Sequence, residues 1–452
     1  MSWHLSLPQL SKILDCSPSH GPDTWREASA IGISTDTRNL SPGEIFLALR
    51  GENFDGHNFL ENALEKGAIA LIIESPFFGN LSENIPQFCV QNTLDAYQKI
   101  ARWWRDQFTI PIIAITGSVG KTTTKELIAA VLSSQGKVHK TQANYNNEIG
   151  VPKTLLQLTS NHDYAVIEMA MRARGEIALL TQIARPSIGV ITNVGTAHIE
   201  RLGSEEAIAE AKCELLAEMP EAAIAVLNQD NSRLMATAEK FWQGETITYG
   251  FTGGDIRGEL LDNDTLRVDG MNFSLPLPGR HNGLNYLGAL AVAKVLGVDW
   301  MPLTQGLSVD LPGGRCRRYP LAKDVLILDE TYNASLESML AALDLLKETP
   351  GKRHLAILGT MKELGEHSLR LHRQVGEKVQ QLGLDRLLVL VDDPEAEAIA
   401  QGASGIPTEC FATHQALVQR LLEVVEAGDR LLFKASNSVG LNRVVIEFAK
   451  TW

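Results

Sequence analysis

From about residue 105 onward, short apolar runs alternate with longer stretches of helical spacing. "IPIIAIT" (Ile110 to Thr116) is a continuous, Ile-rich run that predicts a buried strand. "TTTKELIAAVLSSQG" follows it. Its apolar pairs four apart, Leu127 with Val131 and Ile128 with Leu132, predict a helix that ends near Gly136. "YAVIEMA", "IGVITNV", "AIAVLN" and "NFSLPL" are further candidate strands. Their alternation with helical segments over 105–310 predicts a largely parallel sheet covered by helices. "DLPGGR" (Asp310 to Arg315) is a turn-rich break and a candidate linker. Beyond it, "DVLILDE", "RHLAILG", "DRLLVLV" and "DRLLFKAS" predict a second, smaller doubly wound sheet. Residues 1–100 mix short strands and helices, with Pro-Gly and Gly-x-Asn turns around the strand "EIFLAL". The expected architecture is α/β in three units: 1–104, 105–312 and 313–452.

Composition narrows the class. The chain has 452 residues, room for about three domains of roughly 150. It is 44% hydrophobic and 21% charged, as expected of a soluble globular protein. A net charge of −13 argues against a nucleic-acid surface, although a local basic pocket for a phosphorylated substrate stays compatible with it. The five cysteines are scattered with no C-x-x-C, which predicts reduced, buried thiols in a cytoplasmic protein. "MSWHLSLPQLSKILD" has neither a basic start nor a long apolar core, so no signal peptide is expected. No apolar run approaches about 18 residues, so no membrane insertion is expected.

The strand–helix junction carries the first chemistry. "TGSVGKT" (Thr116 to Thr122) resembles a phosphate-binding loop that is two residues short of the common G-x-x-x-x-G-K-[ST] form. A glycine turn there aims free N–H groups at an anion, and the helix N-terminus adds partial positive charge. Lys121 can reach outer phosphates, and the Thr122 hydroxyl can bind Mg²⁺.

Ligands in such sheets sit at the carboxyl ends of the strands, where several polar residues fall. Glu168 ends "YAVIEMA"; it is either a solvated strand end or a Mg²⁺ ligand opposite Thr122. "TNVGTAHIERLGS" puts Asn193 and His198 past another strand, and a lone histidine is more often structural. Lys212, in "AEAKCELL", taken alone is a solvated helix lysine. "NYNNEIGVP" sets Asn144, Asn146 and Asn147 either in a turn or in a polar wall around a ligand. His281, Asn282 and Asn285 open a helix, as caps or as ligand contacts.

Together these pieces resemble the Mur ligases, the ATP-dependent amide ligases of peptidoglycan precursor synthesis. The short T-G-S-x-G-K-T loop, the glutamate after the next strand, N-V-x-x-A-H, A-K-x-E, H-N-x-x-N and the G-R before the last domain occur in the family's order over nearly the whole chain. Within the family the pattern is most like members that attach D-alanyl-D-alanine to a UDP-N-acetylmuramoyl-tripeptide. "STDTRNLSPGEIFLALRGENFDGHNF", "NYNNEIGVPKTLL", "DETYNAS" and "GTMKELGEHSLRLHRQVG" carry that likeness. The resemblance implies a small N-terminal UDP-binding domain, a central P-loop-type ATP domain and a C-terminal Rossmann-like ligase domain. It implies ATP and two Mg²⁺ ions as cofactors, and a protein that works as a monomer.

The resemblance also implies residue roles. Gly117, Ser118, Val119, Gly120, Lys121, Thr122 and Thr123 would cradle the ATP phosphates, with Thr122 and Glu168 on one Mg²⁺. His198 and Lys212 would sit at a second Mg²⁺, with Lys212 carbamylated. Asn282 and Asn285 would approach the adenine, Glu330 the ribose and Arg315 a phosphate. Thr35, Asp36, Thr37 and Arg38 would help bind the UDP end. Asn144, Asn146, Asn147, Tyr332 and Asn333 fall on the substrate side.

The chain departs from the family pattern at five positions. Asp329-Glu330 stands where Asp-Asp is usual, Leu336 replaces a proline, Thr360 stands where Asp is commoner, and Ala435 and Asn437 stand where Gly and Arg are frequent. Four competing readings fit less well, and one of them, a non-catalytic sugar-nucleotide binding module, would not need Lys121, Glu168 and Lys212 together. The ligase that adds the third amino acid usually carries Asp-Asn-Pro, which this chain lacks. A folate polyglutamate ligase would not be expected to carry the "STDTR…PGEIF" module. A GTPase-like switch needs Asn-Lys-x-Asp, and the nearest match here is "NQDN" (Asn228 to Asn231).

Overall fold

The computed structural model describes residues 3–51, 54–75 and 84–452. Three main sheets succeed one another along the chain. The first is parallel and four-stranded, ordered Ile33–Ser34, Ile45–Leu47, Ala70–Glu74, Gln87–Val90. "EIFLAL" contributes its three middle residues, entered through the Pro42-Gly43 turn; Glu52 and Asn53 of the expected Gly-x-Asn turn lie outside the described residues. Helix Thr93–Arg105 leads out of this unit, capped by Asn92, whose side chain accepts the Leu94 and Asp95 N–H groups. It packs on helices Gly150–Leu156 and Glu176–Ala184, and Trp104 Nε1–H donates to Leu158 O at 3.1 Å. The first unit is thereby stapled to the second.

The central sheet has nine strands, and all five expected ones are present. Its order is Met271–Ser274, Thr265–Val268, Ile256–Leu260, Thr246–Gly250, Ile224–Asn228, Ile188–Ile191, Ile112–Thr116, Tyr164–Glu168, Val138–Lys140. The strands from Ile256–Leu260 to Val138–Lys140 are parallel; the other two add an antiparallel meander. Ile112–Thr116 lies centrally and is buried throughout. Its helix, Lys121–Leu132, buries Leu127, Ile128, Val131 and Leu132, and ends four residues before Gly136.

The third sheet is ordered Arg317–Pro320, Leu326–Asp329, Asp429–Lys434, Arg353–Leu358, Arg386–Leu390, Thr408–Phe411. The four expected strands are its parallel interior, with Thr408–Phe411 added in parallel and Arg317–Pro320 antiparallel at the other edge. Among the described residues no helix is long and apolar enough to cross a membrane. The cysteines are free, as expected, but the expectation that all are buried fails. Only Cys213 is buried; Cys16, Cys89 and Cys316 are half-buried and Cys410 is exposed.

Candidate active site

The loop's geometry follows from its glycines. Gly117 and Gly120 have φ of +154° and +81°, and a Cβ would sit 1.9 Å from Thr192 Oγ1 at the first and 2.6 Å from Asn285 Oδ1 at the second. The loop is held by the segment after Ile188–Ile191. Asn193 accepts the Ser118 N–H on its carbonyl at 3.0 Å and the Val119 N–H on Oδ1 at 3.0 Å. Gly195 N–H donates to Ser118 Oγ at 2.9 Å. In the helix that follows, Thr124 N–H is the first to find an acceptor, Gly120 O at 2.8 Å. The preceding N–H groups of Lys121, Thr122 and Thr123 are therefore the donors of the helix end.

Charges converge on this loop. Lys121 Nζ donates to Gly117 O at 2.7 Å and Ser118 O at 3.4 Å. Burial pushes the Lys121 ammonium below its usual range, with Glu168 pulling it up and Arg315 pushing it down again. Glu168 is 2% exposed, which rules out a solvated strand end. Its Oε1 accepts from Asn146 Nδ2 at 2.8 Å, while Oε2 has no hydrogen bond and faces Lys125 Nζ at 3.7 Å. Lys125 is itself buried between Glu126, at 3.0 Å, and the Thr141 carbonyl, at 2.9 Å.

Lys212, on helix Glu205–Glu218, is 1% exposed, so it is no solvated helix lysine. No hydrogen bond or ion pair from its ammonium occurs among the described residues. Burial and then the nearby Lys121 drive its pKa well below the usual range. His198 caps helix Ile199–Leu202 with φ +67°, and its Nδ1 lies 2.5 Å from Glu363 Oε2. Burial and Lys121 push the imidazole pKa down, against the pull of Glu363.

The nucleoside candidates lie where the third sheet meets the central one. Asn282 Nδ2 donates to Pro278 O at 2.9 Å, and helix Arg280–Val295 has no side-chain cap, so capping does not explain these asparagines. Asn285 Oδ1 accepts from Thr124 Oγ1 at 3.3 Å, tying that helix to the loop helix. His281, beside them, is pushed down to about 4 by burial. Asn282 lines a small cavity together with Cys316, Arg317, Arg318 and Glu330. Glu330 accepts the Cys316 N–H at 3.0 Å, and burial raises its pKa. Arg315 stacks on Tyr332 with Cζ 3.8 Å from the ring centroid. Asn333 is exposed and offers its carbonyl to Lys434 Nζ at 2.8 Å.

The asparagine cluster divides its work. Asn147 Oδ1 accepts the Gly150 N–H at 2.9 Å and makes the turn, Asn146 holds Glu168, and Asn144 is exposed. Thr35–Arg38 stands apart on the N-terminal unit. Arg38 forks onto Asp36 at 2.8–3.1 Å, holding that carboxyl down at about 2, and its side chain is 86% exposed. Thr37 O accepts Lys66 Nζ at 2.6 Å.

The donors suit a nucleotide with magnesium. Seven buried side-chain nitrogens and oxygens among the described residues lack a hydrogen bond, and Thr116 Oγ1, Glu168 Oε2 and Arg315 Nε are three of them. An oxygen-seeking dication fits the Glu168 oxygen, and a phosphate fits Arg315. No group of three or more His, Cys, Asp and Glu converges among the described residues, so such an ion would take further oxygens from phosphate or water. Sequence reasoning missed Lys125, Glu337, Glu363 and Lys434. Lys125 reads as one more polar helix position, and the other three come from a distant part of the chain.

Comparison with known proteins gives three family matches. They are the Mur ligase middle domain over residues 115–293, the Mur ligase glutamate ligase domain over 314–437, and the Mur ligase family catalytic domain over 30–100. The chain is 62% identical over 413 residues to the UDP-N-acetylmuramoyl-tripeptide–D-alanyl-D-alanine ligase of Synechocystis, covering 91% of this chain and 90% of that one. A crystal structure of MurF from Acinetobacter baumannii superposes with a TM-score of 0.88 at 28% identity over 99% of both chains. MurF ligase from Thermotoga maritima, in complex with ADP, superposes with a TM-score of 0.83 at 33% identity, covering 93% of this chain and 97% of that one.

Proposed function

The chain belongs to the Mur ligase family, and from that premise we propose how its residues divide the work of joining D-alanyl-D-alanine to UDP-N-acetylmuramoyl-tripeptide. The protein is the ATP-dependent ligase of that reaction. Residues 1–104 take the UDP end, 105–312 the ATP, and 313–452 complete the ligase site. The observation that supports the ATP assignment is Lys212, buried with no hydrogen bond or ion pair among the described residues and with Lys121 near enough to lower its pKa.

The tripeptide's terminal carboxylate attacks the γ-phosphorus of ATP, giving an acyl phosphate and ADP. The dipeptide amine then attacks that carbonyl, and the tetrahedral intermediate collapses to the amide with loss of phosphate. Activation is needed because a carboxylate is a poor electrophile. Lys121 and the N–H groups of Gly120 to Thr123 bind the transferring phosphoryl group and offset its charge. Arg315 holds a phosphate from the linker side, and Asn282, Asn285 and Glu330 take the nucleoside. Thr122 and Glu168 would hold one Mg²⁺, and His198 with carbamylated Lys212 a second. When bound, these ions supply charge neutralisation on the phosphates. Closure of the C-terminal domain keeps water from the acyl phosphate. Asn144, Asn146 and Asn147 border the sugar-peptide path, with Tyr332 and Asn333 facing it from the last domain. The protein acts as a monomer in the cytoplasm.

Phosphate release is expected to require both UDP-N-acetylmuramoyl-tripeptide and D-alanyl-D-alanine. Comparable ATP turnover with neither present would overturn the ligase reading in favour of a nucleotide switch. The tripeptide's third residue is set by comparing meso-diaminopimelate and lysine forms in the same assay. A second expectation concerns Arg38. Its exposed guanidinium can exchange part of its fork on Asp36 for a pyrophosphate. Arg38→Ala is expected to raise the KM for the nucleotide sugar severalfold and to leave that for ATP unchanged. Equal KM values for the sugar would reduce Arg38 to a surface ion pair with Asp36.

A further inference from the structure

The segment that holds the nucleotide loop is itself held from the third domain. Glu337, in the first turn of helix Leu336–Glu348, accepts the Thr196 N–H at 2.7 Å through Oε1 and the Thr196 hydroxyl at 3.3 Å through Oε2. It lies so close that a Cβ on Gly195 would meet its carboxylate at 2.5 Å. Glu363, in the loop after Arg353–Leu358, takes His198 Nδ1 at 2.5 Å, and its carbonyl accepts the Glu200 N–H at 3.3 Å. At the segment's other end, Asn193 and Gly195 fix Ser118 and Val119 of the loop. Six residues, 193–198, thus link the phosphate loop to two carboxylates of another domain.

Two details separate this arrangement from an incidental ion pair. His198 and Glu363 both have positive φ, +67° and +63°, which non-glycine residues adopt where surrounding contacts hold them. The pair is only partly buried, with side chains 25% and 35% exposed, so burial alone does not hold it. Facing a carboxylate, His198 Nδ1 is the donor of the pair, which turns Nε2 to the opposite side of the ring.

We propose that Glu363 is a positioning residue which, with Glu337 as the second point of a clasp, couples seating of the C-terminal domain to the tautomer and orientation of His198. The inference rests on the reading of His198 as a site residue. A carboxylate behind a histidine ligand typically changes affinity or activity by about ten- to a hundredfold. In this chain the carboxylate comes from the third domain, so the histidine is held this way only while that domain is seated against the central one.

The test uses the full-length protein. Glu363→Ala is expected to lower kcat about tenfold or more with little change in the KM for ATP. Glu363→Gln is expected to recover much of the loss, because its amide oxygen still accepts the Nδ1–H. Nitrogen-15 NMR of the histidine rings, with His198 assigned from the difference spectrum of His198→Asn, is expected to show the Nδ1–H tautomer in the wild type. A tautomer mixture is expected in Glu363→Ala. Spin labels on the central and C-terminal domains are expected to report a broader distance distribution in Glu337→Ala with Glu363→Ala. An unchanged tautomer together with an unchanged kcat in Glu363→Ala would overturn the inference, provided His198→Ala is inactive. If His198→Ala turns over normally, the underlying reading of the site fails first.

Discussion

Replacing Lys121 with alanine is expected to cut kcat by at least about a hundredfold, roughly 2.7 kcal/mol of transition-state stabilisation. The ammonium sits on the loop's own carbonyls at Gly117 and Ser118, where charge on a phosphoryl group in the loop would meet it. Negative charge moves during phosphoryl transfer, so a fixed cation there acts more on the transition state than on bound ATP. The KM for ATP is therefore expected to change less than kcat. Lys121→Arg is no conservative rescue, since the planar fork does not fit a point-charge site so closely bounded by the loop. Glu168→Ala should fail differently. Its Oε2, which has no hydrogen bond and faces Lys125 at 3.7 Å, is the oxygen offered to a cation, so raised Mg²⁺ is expected to restore part of the rate in that variant and none in Lys121→Ala. Near-normal kcat in both variants, measured by phosphate release with all substrates saturating, would remove the proposed nucleotide site.

The parallel interior of both large sheets was readable because strands covered on both faces need continuous apolar runs. Ile112–Thr116, Ile188–Ile191 and Leu326–Asp329 are of that kind. Three of the four edges of these sheets were not readable, Met271–Ser274 being the exception. Val138–Lys140 is "VHK", Arg317–Pro320 is "RRYP" and Thr408–Phe411 is "TECF"; with a side open to solvent, none needs an apolar signature. The loop, Glu168 and His198 stood out because each falls at the carboxyl end of a readable strand. Their partners did not. Glu337 lies 141 residues from Thr196, and Glu363 lies 165 from His198. No local pattern marks a carboxylate whose function is to meet another domain. Lys125 shows the converse limit: helical spacing gives it no apolar partner, yet the carboxylates of Glu126 and Glu168 allow it to be buried.

Lys212→Ala is expected to be nearly inactive and to be partly rescued by small carboxylates. A buried, unpaired ammonium is costly, and one beside Lys121 would also repel a dication. The neutral amine is the form such a pocket favours, and it is the form that attacks CO₂. The amine nitrogen bonds to the carbon, a proton leaves to solvent, and the product is a carbamate anion. The site would thereby exchange a neutral amine for an anion with two oxygens of the kind Mg²⁺ prefers. Acetate or formate can enter the space left by Lys212→Ala and offer similar oxygens. Lys212→Arg keeps its charge, fills the space and is expected to stay inactive with either additive. A readout independent of turnover is available in carbon-13 NMR. Protein equilibrated with ¹³C-bicarbonate is expected to show a slowly exchanging carbamate signal that is absent from Lys212→Ala. Full activity in Lys212→Ala, or identical carbamate spectra for the two proteins, would return Lys212 to a buried lysine without a part in the chemistry.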